Sequence, residues 1–152
     1  TVFARFVVPA RAEDVPGAWQ GYYRRWPGIL AAAAKDPALI DLVPALAALA
    51  PGETVLDKLT YSMFTGTGLA DDLAARGVDT VIVTGVETDV CVLSTVMGAV
   101  ELGLRVVVVT DAVASSSQPS HEATLGLVLP RMADQIALTD TARLLSFWAA
   151  AA

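Results

Sequence analysis

Two stretches of this chain, Val78 to Thr84 and Arg105 to Thr110, are nearly continuous apolar runs, and the second contains four successive valines. A strand with one face in water alternates polar and apolar residues, so a continuous run predicts a strand covered on both faces. Around these runs lie stretches with helical spacing. One helix is expected from about Gly68 to Arg76, closed by Gly77, and one from Thr88 or Asp89 to Leu102, closed by Gly103. A third runs from about Pro119 to Met132. Glycine at such ends supplies the left-handed residue that terminates a helix. Further strands are predicted at Val2 to Val8, ended by Pro9, at Thr54 to Asp57, read as short and buried, and at Gln135 to Leu138. Asp36-Pro37 opens a helix as cap and first-turn proline, with apolar positions from Leu39 to Leu49, a kink at Pro44 and a stop at Pro51-Gly52. Asp140 caps a C-terminal helix that frays over Ala149 to Ala152. Strands alternating with helices imply an α/β domain, a doubly wound parallel sheet in three layers.

With 152 residues the chain is expected to be a single domain, 1–152. Hydrophobic residues make up 55% and charged residues 17%, enough to fill a core and leave apolar surface for a homo-oligomer, dimer or tetramer. The formal charge of −6 comes without a basic cluster. Arg24-Arg25 among Tyr22, Tyr23 and Trp26 is too short to track phosphates, so nucleic acid is not an expected partner. One cysteine makes no internal disulfide, Thr1 to Val8 does not read as a signal peptide, and no apolar run reaches membrane-spanning length. The expectation is a cytoplasmic protein with no membrane partner. A single histidine excludes a His-rich metal centre, and His121-Glu122-Ala123-Thr124-Leu125 lacks the second histidine of a zinc-protease helix. His121 is read as a surface or helix-start residue.

In an open parallel sheet the binding crevice lies at the carboxyl ends of the strands. Three polar features fall there: Lys58 after strand Thr54–Asp57, the turn Glu87 to Cys91 after Val78–Thr84, and Asp111 after Arg105–Thr110. Cys91 lies in the first turn of the helix, where unpaired amides and the helix dipole favour a thiolate and could hold an oxyanion. It can equally be an inert packed thiol, since free cysteine is among the most buried residue types. Lys58 can be a surface lysine, and Asp111 reads as a turn or cap residue. Trp19, Tyr22, Tyr23 and Trp26 either fill a core or line a pocket. A nucleotide or redox domain of flavodoxin type lacks support, because no Gly-x-Gly-x-x-Gly occurs.

Lys58-Leu59-Thr60-Tyr61-Ser62-Met63-Phe64 resembles the Lys-x-x-Tyr-Ser-x-Phe segment of isochorismatase-like cysteine hydrolases. Gly85-Val86-Glu87-Thr88-Asp89-Val90-Cys91-Val92 resembles their Gly-Val-x-Thr-Asp-x-Cys-Val turn. The likeness extends through Ala99 to Val108 and Asp111-Ala112, spanning about Val55 to His121, and more weakly through Phe3-Ala4-Arg5-Phe6. It implies a six-stranded parallel sheet of order 3-2-1-4-5-6 and an Asp–Lys–Cys triad, with Cys91 as nucleophile and Lys58 as the lysine. It also implies a cis peptide between Val86 and Glu87 and oxyanion donors at the backbone amides of Glu87 and Cys91. The family's aspartate ends a first, central strand that would lie before Thr1. The sequence is therefore expected to be N-terminally incomplete, with that strand outside it, and Asp14 is no substitute.

Nicotinamidase-type members of the resembled family bind a metal through histidines that Phe3 to Arg11 does not contain, so no metal and no cofactor is expected. Isochorismatases proper cleave a vinyl ether and need no cysteine. Retention of Cys91 implies hydrolysis of a C–N bond in a small amide, carbamoyl or ureido substrate through a thioester. Tyr61, Phe64, Trp19, Tyr23 and Trp26 are the candidates for shaping its pocket. The alternatives are a vinyl-ether hydrolase and a catalytically degenerate binding or scaffold domain.

Overall fold

The computed structural model describes residues 1–49, 52 and 54–151. Pro51 and Ala152, named above as part of a helix stop and of a fraying end, lie outside the described residues. The chain separates into two compact units, Thr1–Thr60 and Tyr61–Ala152. Each builds a parallel sheet flanked by helices, so the class is α/β.

In the first unit, β1 (Val2–Phe6) pairs in parallel with β2 (Thr54–Lys58), from Val2 opposite Thr54 to Phe6 opposite Lys58. Arg5 fastens this ladder. Its guanidinium donates to both carboxylate oxygens of Asp57, at 2.7 and 2.9 Å, and to Asp41 at 3.1 Å. Such a fork-to-carboxylate pair carries geometric specificity that a single point charge lacks. Helix α1 (Ala18–Arg25) follows Gly17, whose φ of 53° an L side chain would rarely adopt. Tyr23 is fully buried with Ala12 and Val15, and Phe6, Val8, Trp19, Tyr22, Ile29 and Leu30 pack around them. The rings of Trp19 and Tyr22 meet edge to face at 5.8 Å, those of Tyr22 and Tyr23 at 5.1 Å.

Three expectations for this unit change. Pro27 starts a helix that the sequence reading passed over, α2 (Pro27–Lys35), built on a run of alanines. The single helix expected from Pro37 to Leu49 is broken. A 3₁₀ turn covers Pro37–Ile40, with Asp36 accepting from the Ala38 amide at 3.1 Å, and a short α3 (Pro44–Ala47) begins afresh. Pro44 cannot donate to a carbonyl four residues back, and it holds Val43 in extended backbone at φ −57°, ψ 147°. It therefore becomes a first helical residue instead of a kink. Strand β2 is also more exposed than a buried strand; Val55 is 43% exposed and only Lys58 is fully buried.

The second unit has the order β3-β4-β5, all parallel: β3 (Thr80–Val86), β4 (Arg105–Ala114) and β5 (Ile136–Thr139). Helix α4 (Leu69–Ala75) precedes β3, and Gly77 follows it at φ 64°. Helix α5 (Leu93–Glu101) lays Val96 and Ala99 against Val106 and Val108 of β4, and Val92, Val113, Leu129 and Ile136 complete this core. Burying each of the valine, leucine and isoleucine side chains contributes roughly 1.5–3 kcal/mol. Covering of the sheet is uneven: Val108 and Val109 are both buried, yet Ile82 in β3 is 40% exposed. Helix α7 (Thr141–Ala151) packs on β4.

The segment expected as one helix to Met132 is α6 (Gln118–Ala123), then a π turn (Thr124–Val128) and a 3₁₀ turn (Leu129–Met132). Pro130 removes the amide that a regular helix would need there.

Asp111 falls inside β4, not after it, yet serves as a cap. Its carboxylate accepts from the Thr141 amide at 2.8 Å and hydroxyl at 2.9 Å, while Asp140 accepts from the Arg143 amide at 2.8 Å. The Thr141 hydroxyl, and then its amide, hold the Asp111 carboxyl below the usual carboxylate range. The unfolded value is about 3.9. A carboxyl whose folded pKa is lowered contributes stability above the unfolded value and loses it as pH falls through the folded one. Asp111→Ala is therefore expected to be less stable than the parent at pH 7, with the gap closing below about pH 4. Denaturant melts at pH 7 and pH 3 check this; an equal gap at both would refute it.

Candidate active site

Cys91 sits at the carboxyl end of β3, in a π turn that covers Thr88–Val92 and runs directly into α5. The sequence reading expected a regular helix from Thr88 or Asp89. The carbonyl of Glu87 instead takes the Val90 amide at 3.1 Å and the Val92 amide, five residues on, at 3.0 Å. Wide turns of this type recur at functional sites because they re-aim side chains at a helix start. The approach to the turn is special as well. Gly85 has φ of 116°, where only glycine is relaxed, and the Val86–Glu87 peptide bond is cis.

Across Gly85 the ladder slips. Val83 pairs with Val108, and the next pairs are Gly85 with Val113 and Val86 with Ala114. Four residues of β4 thus stand opposite Thr84 alone, a bulge that re-aims the strand end. Beyond it, the chain reaches back to the turn. Ser115 donates its hydroxyl to Asp89 at 2.5 Å and accepts the Asp89 amide at 3.4 Å. The Ser116 amide donates to the Glu87 carboxylate at 3.3 Å. Thr88, fully buried, has its hydroxyl 2.9 Å from Nδ1 of His121. His121 is thus a half-buried partner of the turn inside α6, not a surface residue. The sequence reading missed Ser115, Ser116 and His121. Their signal was position: they follow the carboxyl end of a parallel strand, where a crevice forms.

Segment Tyr61–Phe64 lies against α5. The Met63 amide donates to the Thr95 hydroxyl at 3.2 Å, and the Phe64 amide to the Ser62 hydroxyl at 3.2 Å. Tyr61 is 38% exposed and Phe64 packs at the edge of the core. Lys58 belongs to the other unit. It is the last residue of β2 rather than one beyond it, and is 5% exposed. Its ammonium donates to the Thr60 carbonyl at 3.0 Å and stands 5.0 Å from the centre of the Phe6 ring. A buried ammonium is tolerated with such partners. Of the ring candidates, Tyr23 is core: with no exposure at all it cannot line a solvent-open pocket. Trp19 packs beside it, and Trp26 is 52% exposed with the Arg25 guanidinium 5.7 Å from its ring.

A depression lined by Thr80, Arg105, Asp134 and Gln135 opens at the amino ends of β3, β4 and β5, away from Cys91. Among the described residues no group of three or more His, Cys, Asp or Glu could hold a metal ion. No described helix is long and apolar enough to cross a membrane.

Gly98 makes the approach of Tyr61–Phe64 to α5 possible. A Cβ there would lie 3.0 Å from the Phe64 ring and 3.1 Å from the Ser62 hydroxyl. Gly98→Val is expected to overpack this contact at a cost of about 1–3 kcal/mol, lowering Tm by several degrees. An unchanged thermal melt would show that the contact is loose.

Residues 1–140 match the family model described as the isochorismatase domain. Maleamate amidohydrolase of Pseudomonas putida is 36% identical over 114 residues, 70% of this chain and 54% of that protein. Ureidoacrylate amidohydrolase of Methylobacterium radiotolerans is 38% identical over 99 residues, 64% of this chain and 36% of that protein. The chain spans about half the length or less of the curated relatives it matches. Among solved structures, a cysteine hydrolase from Pseudomonas syringae superposes with a TM-score of 0.78 at 25% identity, covering 95% of this chain and 70% of that one. With a family model matching nearly its whole length, the chain belongs to the isochorismatase family.

Proposed function

We propose that the protein is a hydrolase that cleaves the C–N bond of a small amide, carbamoyl or ureido substrate through a thioester on Cys91. The observation that carries this reading is the place of Cys91, in a tightly held turn between the carboxyl end of a parallel strand and the start of a helix. The names of two relatives, maleamate and ureidoacrylate amidohydrolase, support the substrate class.

In this reading the thiol gives its proton to a general base and the thiolate attacks the carbonyl carbon. The backbone amides of Glu87 and Cys91 donate hydrogen bonds to the carbonyl oxygen as negative charge develops on it. Collapse of the tetrahedral species breaks the C–N bond, and the departing nitrogen takes up a proton and leaves as ammonia or an amine. Water then hydrolyses the thioester to a carboxylate or carbamate and restores the thiol. Lys58 is assigned to favouring the thiolate, and Tyr61 and Phe64 to shaping the pocket. No metal takes part. A homo-oligomer in the cytoplasm completes the proposal, with the exposed Leu145, Phe147 and Trp148 of α7 as apolar surface for it.

Ammonia release from a panel of small amides and ureides tests the reading. Cys91→Ala is expected to abolish turnover, a loss of at least about 10³-fold; a variant with parental activity would remove the nucleophile assignment. In the parent protein, iodoacetamide is expected to alkylate Cys91 faster at neutral pH than free cysteine, and Lys58→Met is expected to slow that reaction. Reactivity at or below that of free cysteine would sink the thiolate assignment.

A further inference from the structure

We infer that His121 is a positioning residue for the turn that carries Cys91, acting through the hydroxyl of Thr88. The inference rests on the reading of Cys91 as nucleophile and deepens it. Three consecutive residues, Glu87, Thr88 and Asp89, open the turn that carries Cys91, and each is held by the segment after β4. Two of these holds lie partly open: Glu87 and Asp89 are only half-buried, and Ser116, the partner of Glu87, is exposed. Water can substitute for an open hydrogen bond at little cost. Thr88 differs, because its side chain is fully buried and lies 2.9 Å from Nδ1 of His121. A buried hydroxyl that loses its partner costs about 1–3 kcal/mol, so this contact penalises other placements of the turn.

The chemistry of the pair suits that task. A neutral imidazole presents one ring nitrogen as donor and the other as acceptor, and a hydroxyl can take either complementary role. The bond therefore persists in either tautomer, and the turn stays in one place. The amides proposed above as oxyanion donors, those of Glu87 and Cys91, belong to this same turn, so their alignment depends on it. A shift well under 1 Å weakens their support of a developing charge. His121 need not touch substrate to affect the rate; it fixes the residue three before Cys91.

The test uses the full chain, whose single cysteine gives an unambiguous label. Second-order rates of iodoacetamide alkylation are compared, with circular dichroism and thermal melts as the check on folding. His121→Ala and Thr88→Val are each expected to slow alkylation about tenfold, the scale of one lost buried hydrogen bond. The double variant is expected to be no slower than either, since both remove the same contact. Asparagine places its amide where Nδ1 lies and glutamine where Nε2 lies. His121→Asn is therefore expected to keep a near-parental rate and His121→Gln to react like His121→Ala. Should the truncated variants fail to fold, this isosteric comparison still decides. A parental rate in folded His121→Ala, or equal rates for the asparagine and glutamine variants, overturns the assignment. A parental protein no faster than free cysteine refutes the nucleophile instead, because that reading is taken from the parent and this one from variant-to-parent ratios.

Discussion

The slip in the ladder at Gly85 is the constraint on which the second unit depends. Up to Val83 and Val108, β3 and β4 advance in step. A residue with a Cβ resists φ of 116°, so glycine alone makes the next step cheap. With that step, β4 takes four residues to cover what β3 covers in one. Asp111 lies in the extra length and turns to receive α7, while Ser115 and Ser116 emerge beyond it at the level of Glu87 and Asp89. One backbone conformation thus serves two ends: it docks the C-terminal helix, and it delivers the segment that grips the cysteine turn.

The first unit rests on a different device. Among the described residues its sheet has two strands, and β2 is largely open to water. A small sheet of that kind is marginal by itself. Arg5 compensates by binding Asp57 across the ladder and Asp41 beyond it, while the cluster around Tyr23 supplies the apolar packing. Buried Lys58 ends the strand that this arginine secures, so the ion pair and the position of a candidate site residue are linked through β2.

Much of this was legible in the chain itself. The continuous apolar runs named the parallel strands, and Gly77 and Gly103 named helix ends where left-handed glycine occurs. What failed did so for local reasons. Pro44 and Pro130 interrupt stretches whose apolar spacing alone reads as unbroken helix, because spacing is blind to a missing amide. The run Val78 to Thr84 implied cover on both faces, but composition does not say which strand a helix will choose to pack on. The site was legible in part. Cys91 and Lys58 came from motif and position, and the peptide bond at Val86–Glu87 was singled out by resemblance rather than by any property of those two residues. His121 escaped because a lone histidine in a polar segment carries no spacing signal. Its partner Thr88 is more than thirty residues away, and only folding brings the two together.

The bulge opposite Thr84 also bears on how such a site can diversify. Its residues pair with no partner in β3, so the β3–β4 ladder does not fix their number, although Val109 stays in register with Thr139 of β5. Adding or removing a residue there would change the reach of the Ser115–His121 segment, and with it the hold on the Cys91 turn, without substituting any residue of that turn. Insertion and deletion within one strand thereby become a means of retuning the grip on a reactive thiol, independent of substitutions among the residues that meet the substrate.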